Sequence, residues 1–193
     1  MPPPLDHVKR TKLLSGVIEY IGENGLSELS LRPLAAALDT SARMLLHYFG
    51  SKEQMLVAAL ETQRPDIAAA FANIADADTL RQRLHERWTA NTSGDSATSA
   101  SVVLQVLGDA CVQRGPFLDY ANSAVDLLVT AIAQVLGRLE PPVEDPKATA
   151  TILVSGLRGV LLDRLVTGDA ARTDRAARQL IDQTLRAAPT PTS

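Results

Sequence analysis

SLRPLAAALDTSARMLLHYFGSK, Ser30 to Lys52, reads as two short helices joined by a turn. Ser30 is a candidate N-cap for the first helix, which apolar spacing carries through Leu38. Pro33 then falls in the first turn, where a helix has no use for the missing N–H. A cap from Ser30 must therefore use the N–H of Arg32 instead. Asp39-Thr40-Ser41 is the turn, and Thr40 or Ser41 caps a second helix that ends near Phe49. Leu34 and Leu38 lie one turn apart on the first helix, as do Leu45 and Phe49 on the second. Ala35 is small where the two helices must approach closely. The pattern fits a helix-turn-helix whose second helix enters a DNA major groove. It fits an ordinary helical hairpin within a bundle as well.

The segment around this unit, Thr11 to Leu60, resembles the TetR family of bacterial transcription regulators. A long first helix ends in a glycine, here Gly25. The helix-turn-helix follows and runs into an aromatic-x-x-Lys-acid junction, here Phe49-Gly50-Ser51-Lys52-Glu53. Three departures stand out. Asp39 replaces the usual turn glycine, and Asp tolerates a left-handed backbone better than most residues. Arg43-Met44-Leu45-Leu46 replaces the family's Gly-Thr-Leu-Tyr, so a phosphate-bonding tyrosine becomes Leu46. Tyr48 stands where histidine is common. These changes bear on the operator sequence rather than on the fold.

The resemblance implies an all-α chain of two domains. Residues 1–64 form a three-helix DNA-binding domain, and residues 65–193 a helical ligand-binding and dimerisation domain, with the boundary near Pro65. It implies a repressor that binds a near-palindromic operator as a homodimer and is released by a small-molecule effector. On that reading Ser41, Ala42, Arg43, Met44 and His47 face base edges. Arg32 matches a family position that reaches DNA, and Thr40, Tyr48 and Lys52 are placed for phosphates. Arg43 suits a bidentate contact to guanine, and it equally suits a phosphate.

The 193 residues suffice for one DNA-binding module and one larger helical domain. Aromatics are only 4% of the chain while Ala and Leu dominate, which favours helices over sheet. Net charge is -3, so any nucleic-acid binding must come from locally clustered cations. Residues 1–64 balance their lysines and arginines against an equal number of acids, so the deficit lies in the remainder. Lys9, Arg10 and Lys12 open the first helix as candidate phosphate contacts or as a solvated face. Cys111 is the only cysteine and sits in an apolar run, which predicts a core thiol and excludes an intrachain disulfide. No run suits a membrane span or a signal peptide, so the expected location is the cytoplasm.

Helical patterning continues to the C-terminus. Leu14, Val17, Ile18 and Ile21 make the buried stripe of the first helix. Ser51 and Gln54 read as a capping box that starts the fourth. A helix over Asp66 to Ile74 is followed by one beginning at Asp78 or Thr79. Residues 94–101 read as a loop, and helices follow over Val102 to Val112 and from Phe117 to Gly137. Asp145-Pro146 opens a long helix that stops at Gly168. Thr173 or Asp174 caps the last one. Met1 to Asp6 and the tail APTPTS read as flexible. Ile152, Gly156, Gly159 and Asp163 share a face with Ser155 beside it, and Ala177, Leu180, Ile181 and Leu185 form a second stripe. The last two long helices are therefore the expected dimer interface, although both stripes would also suit packing within one subunit.

No catalytic constellation is visible. His7, His47 and His85 lie far apart and outside any metal-ligand pattern, and no nucleotide or hydrolase motif occurs. No metal or cofactor is expected. A helical enzyme assembled from distant residues, or a ligand-free interaction module, are the competing readings. His85, Trp88, Asn91, Gln105, Asp109 and Arg158 are the polar groups in apolar helices that suit an effector cavity.

Overall fold

The structure is a computed structural model that describes residues 7–64, 66–94, 96–112, 115 and 117–186. Ten helices and no strand occur among the described residues. In order they are α1 (His7–Asn24), α2 (Leu31–Ala37), α3 (Ala42–Phe49), α4 (Lys52–Thr62), α5 (Ile67–Ala72), α6 (Ala77–Ser93), α7 (Ala97–Val112), α8 (Phe117–Leu136), α9 (Pro146–Thr167) and α10 (Ala170–Arg186). No helix among them is long and apolar enough to cross a membrane. No cluster of His, Cys, Asp or Glu among the described residues suits a metal.

The chain divides into two compact units. One comprises Met1–Pro65 with Ala97–Ala121, the other Asp66–Ser96 with Asn122–Ser193. A single boundary near residue 65 thus differs from the observed grouping, because α7 and the start of α8 join the N-terminal helices. In that unit α1 packs on α4 and α7, and α2 and α3 pack on each other. Leu14, Val17, Ile18 and Ile21 of α1 are buried as their spacing predicts. Gly25 ends α1 with a left-handed backbone, φ 85°. The next N–H, of Leu26, donates to Oε1 of Gln105 on α7 at 2.7 Å.

In the second unit α10 packs on α9 and α6. Leu80, Leu84, Ile132, Val135, Leu136, Leu153 and Ile181 lie in its core, with Phe71 of α5. Trp88 donates from Nε1 to Asp174 at 2.8 Å, and Arg164 donates to the same carboxylate oxygen at 2.6 Å. α9 opens on Asp145, whose carboxylate accepts the Ala148 N–H at 2.9 Å. It closes on Gly168 in the left-handed region. Both features follow from the residue types.

Several boundaries differ from the sequence reading. Asp76, not Asp78 or Thr79, caps α6, taking both the N–H and the hydroxyl of Thr79 at 2.7 Å. α7 begins at Ala97, so the polar run after Gly94 is mostly helical; Ser, Thr and Ala are tolerated in a helix once its other face packs. α10 starts at Ala170, with Asp169 accepting the Arg172 N–H at 3.0 Å. Thr173 is buried one turn in, its hydroxyl bonded back to the Asp169 carbonyl at 2.7 Å. Cys111 is exposed rather than core, because the buried stripe of α7 runs through Val102, Val106 and Ala110. Gly156 faces α10: a Cβ there would come 2.5 Å from Leu180 Cδ2. Ala177, Ile181 and Leu185 are likewise buried within the unit. The face of α9 left uncovered is Ile152, Ser155, Gly159, Leu162 and Val166, repeating at three and four residues. Asp163 is turned aside and held by Arg172 at 2.6 Å. Pro65, the arm 1–6 and the tail 187–193 lie outside the described residues.

Candidate nucleic-acid interface

The turn between α2 and α3 is set by backbone conformation. Asp39 adopts φ 49°, the one left-handed non-glycine among the described residues, at the position where glycine would be easiest. Ser30 adopts the extended conformation of an N-cap but makes no side-chain cap bond. Ser41 caps α3, accepting the Met44 N–H at 3.2 Å and leaving its own proton to donate. α3 is anchored by Leu45 and Phe49, which are buried. About half a turn of rotation away, Arg43 and His47 are exposed, and Ala42, Met44 and Tyr48 are half-buried on the flanks. His47 meets Tyr48 edge-on, with ring centroids 5.9 Å apart. Leu46 is 42% exposed on the same helix and was not marked by its residue type. A bare aliphatic side chain beside Arg43 suits contact with a thymine methyl. The signal lay in its spacing, one residue past buried Leu45.

The cations around α3 differ in exposure and in the contacts they make. Arg32 and Arg43 are exposed, and Lys9 and Lys12 are exposed on α1. Arg10 stacks its guanidinium 5.3 Å from the centroid of Phe49, joining the start of α1 to the end of α3. Lys52 is half-buried and donates from Nζ to the Leu29 carbonyl at 3.3 Å. It therefore ties the start of α4 to the loop before α2. Ser51 accepts the Gln54 N–H at 3.1 Å. The reciprocal half of the capping box is absent: the Ser51 N–H donates to the Phe49 carbonyl at 3.0 Å, and Gln54 folds over Gly50. Glu53 is held below the usual carboxylate range, first by its own backbone N–H, then by the Ser51 hydroxyl and Lys52 against slight burial. The first turn of α4 thus spends much of its donor capacity inside the unit. Thr40 is half-buried in the turn.

Residues 13–59 match the family model described as bacterial regulatory proteins, tetR family. Over that stretch the chain is similar to TetR-family regulators. A curated relative, the HTH-type transcriptional regulator BetI of Burkholderia thailandensis, is 33% identical over 98 residues, covering 50% of this chain and 50% of that one. The chain spans about half the length of the curated relatives it matches. The TetR-family fold extends further. A transcriptional regulator from Rhodococcus sp. Rha1 aligns with a TM-score of 0.77 at 18% identity, over 94% of this chain and 99% of that one. A regulator from Saccharomonospora viridis, solved in complex with choline, aligns with a TM-score of 0.74 at 24% identity, over 90% and 93%. The family is one of transcription regulators rather than enzymes.

The six polar residues marked for an effector cavity fall in different places. Gln105 and Asp109 belong to the first compact unit, where Gln105 already accepts from Leu26. His85, Trp88, Asn91 and Arg158 belong to the second. Trp88 is bonded to Asp174, and His85 lies 3.7 Å from Asp182 beside an open cavity of ≈ 910 Å³ along α6. Arg158 donates to the Ala124 carbonyl at 3.1 Å. A second cavity of ≈ 720 Å³ lies between α5 and α8, lined in part by Phe71, Leu127, Gln134 and Arg138. Spacing along single helices carried no information about that grouping.

Proposed function

We propose that this chain is a transcriptional repressor that grips a near-palindromic operator as a homodimer and lets go when a small molecule binds its C-terminal helices. The observation that carries the reading is α3: a short capped helix, pinned on one side by Leu45 and Phe49, that turns Arg43 and His47 to solvent. In a family of DNA-binding regulators such a helix enters the major groove. Arg43 reads a guanine, Ser41, Ala42, Met44 and His47 flank it at base edges, and Thr40, Tyr48, Lys52 and Arg32 hold the backbone.

Two subunits are required because half-sites lie about 34–36 Å apart. The exposed stripe Ile152, Ser155, Gly159, Leu162 and Val166 on α9 supports an interface there, since a two-fold contact needs a self-complementary patch. The small-molecule part is supported by the choline found in the Saccharomonospora viridis regulator of the same fold. A ligand releases DNA only by preferring the conformation that fits the operator poorly.

The test is binding to duplex DNA from the chain's own upstream region, at two salt concentrations, with genome-wide selection alongside. Specific binding should exceed random-sequence binding and weaken steeply with salt, as released counterions require. Equal affinity for random DNA at both salts, with no motif selected, refutes the regulator reading.

A further inference from the structure

Along the inner face of α6 the stripe Leu80, Leu84, Arg87, Asn91 runs at intervals of four, three and four residues. Its first two members are fully buried core, and the next two are half-buried. On α9 the corresponding stripe passes from Leu153 and Val154 to Arg158 and Leu161. One turn beyond the apolar core of this unit, two helices therefore each turn an arginine inward. Arg158 is held by the Ala124 carbonyl of α8 at 3.1 Å. Arg87 makes no hydrogen bond or ion pair among the described residues. No carboxylate among them lies within ion-pair distance of either guanidinium.

The neighbouring acids are committed elsewhere. Asp174 serves Trp88 and Arg164. Asp182 serves Arg81, with His85 and Arg186 nearby. Asp163 is taken by Arg172. Burial pushes the Arg87 guanidinium below its ordinary pKa, and the nearby charge of Arg158 pushes it the same way. Burial does the same to Arg158. Two like charges in a partly desolvated site are costly unless an anion joins them.

We propose that Arg87 and Arg158 are the anion-binding element of the effector site, so that the effector carries a carboxylate or phosphate on an apolar body. Guanidinium forks match both oxyanions in a bidentate geometry. Leu84, about one turn before Arg87, and Leu161, about one turn after Arg158, are the apolar neighbours along the two helices. The inference rests on the C-terminal helices being the effector-binding part. It is tested without DNA, so that its failure and the failure of the operator reading are separate results.

The test is calorimetric titration of the full chain with octanoate, octanamide, inorganic phosphate and choline. Octanoate should bind saturably, and its neutral amide about 10–100-fold more weakly, the loss expected for charge-assisted hydrogen bonds. Arg87→Gln and Arg158→Gln should each weaken octanoate about tenfold or more, while Arg83→Gln, on the exposed face, leaves it unchanged. A second measurement needs no ligand. Removing an unpaired, partly buried charge should leave the ligand-free Tm of Arg87→Met at or above that of the parent. Octanoate and octanamide binding alike, choline binding more tightly than octanoate, or no saturable binding of octanoate or phosphate up to about 10 mM, where even a weak specific site shows, each overturns the proposal. So does a large drop in Tm for Arg87→Met, which would make Arg87 a structural residue.

Discussion

For the proposed homodimer, Gly159→Glu separates the fold of one subunit from the assembly of two. No heavy atom lies within 4 Å of a Cβ built at Gly159, and its φ is ordinary for a helix. Within one subunit the substitution therefore meets nothing, and replacing glycine in a helix interior stabilises it by up to about 1 kcal/mol. Ile152, Leu162 and Val166 on the same face are 58%, 54% and 77% exposed. Burying what remains of each contributes roughly 1–2 kcal/mol, or about 6–12 kcal/mol for both copies of the patch. A carboxylate at the centre of that contact costs several kcal/mol to desolvate without a partner. Two-fold symmetry places two there. Even ~3 kcal/mol each shifts the dimer Kd about ten-thousandfold. Sedimentation velocity should show folded monomers, with an unchanged far-UV circular dichroism spectrum and weak operator binding. Gly156→Ala is the control: its Cβ would meet Leu180 of the same subunit rather than the second copy, so it should leave the dimer intact. A Gly159→Glu protein that sediments as the parent dimer would place the interface away from this face of α9.

Arg43→Ala should weaken operator binding by about 1–3 kcal/mol and relax preference at one base pair, read by selection on a randomised site; unchanged preference at every position rules out the base contact. Lys52→Ala should weaken all sequences alike and lower the salt slope by about one. Because its ammonium also holds the Leu29 carbonyl, it should lower the Tm of the free protein too, and an unchanged Tm would show that bond to be idle. The hydrogen bond from Arg172 holds the Asp163 carboxyl below the usual carboxylate range. A carboxyl depressed in the folded state stabilises above its unfolded pKa, about 3.9, and that contribution is lost as pH falls through the folded value. Asp163→Asn should therefore lower Tm at neutral pH, with a deficit that shrinks below about pH 4 and under high salt; a deficit independent of pH would contradict the ion pair.

Reading the chain by itself succeeded wherever the deciding contact spans three or four residues. Ser41 capping Met44, Ser51 capping Gln54 and Asp145 capping Ala148 are set by helix geometry, because the orphan N–H groups of a first turn stand at a fixed distance from the residue before it. The same locality placed Gly168 in the left-handed region and Leu14, Val17, Ile18 and Ile21 on one buried stripe. Asp39 in the glycine position of the turn followed from what its short side chain tolerates. For α6 and α10 the sequence reading named Asp78 or Thr79 and Thr173 or Asp174, whereas Asp76 and Asp169 accept the first-turn N–H groups.

Partners distant along the chain were decided only by tertiary structure. Lys52 reaches Leu29 across 23 residues, and Gln105 reaches Leu26 across 79. Neither pairing has a periodicity to announce it. Helix spacing groups Ile152, Gly156 and Gly159 on one face of α9, but the rotation of that helix against α10 turns Gly156 inward and leaves Gly159 bare. The rotation of α7 likewise turns Cys111 outward, and that of α6 leaves Arg87, in a position reading as the next core residue, without an acid among the described residues. A side chain's partner depends on how whole helices turn and cross, and those angles come from the sum of many weak apolar contacts rather than from any short stretch of residues.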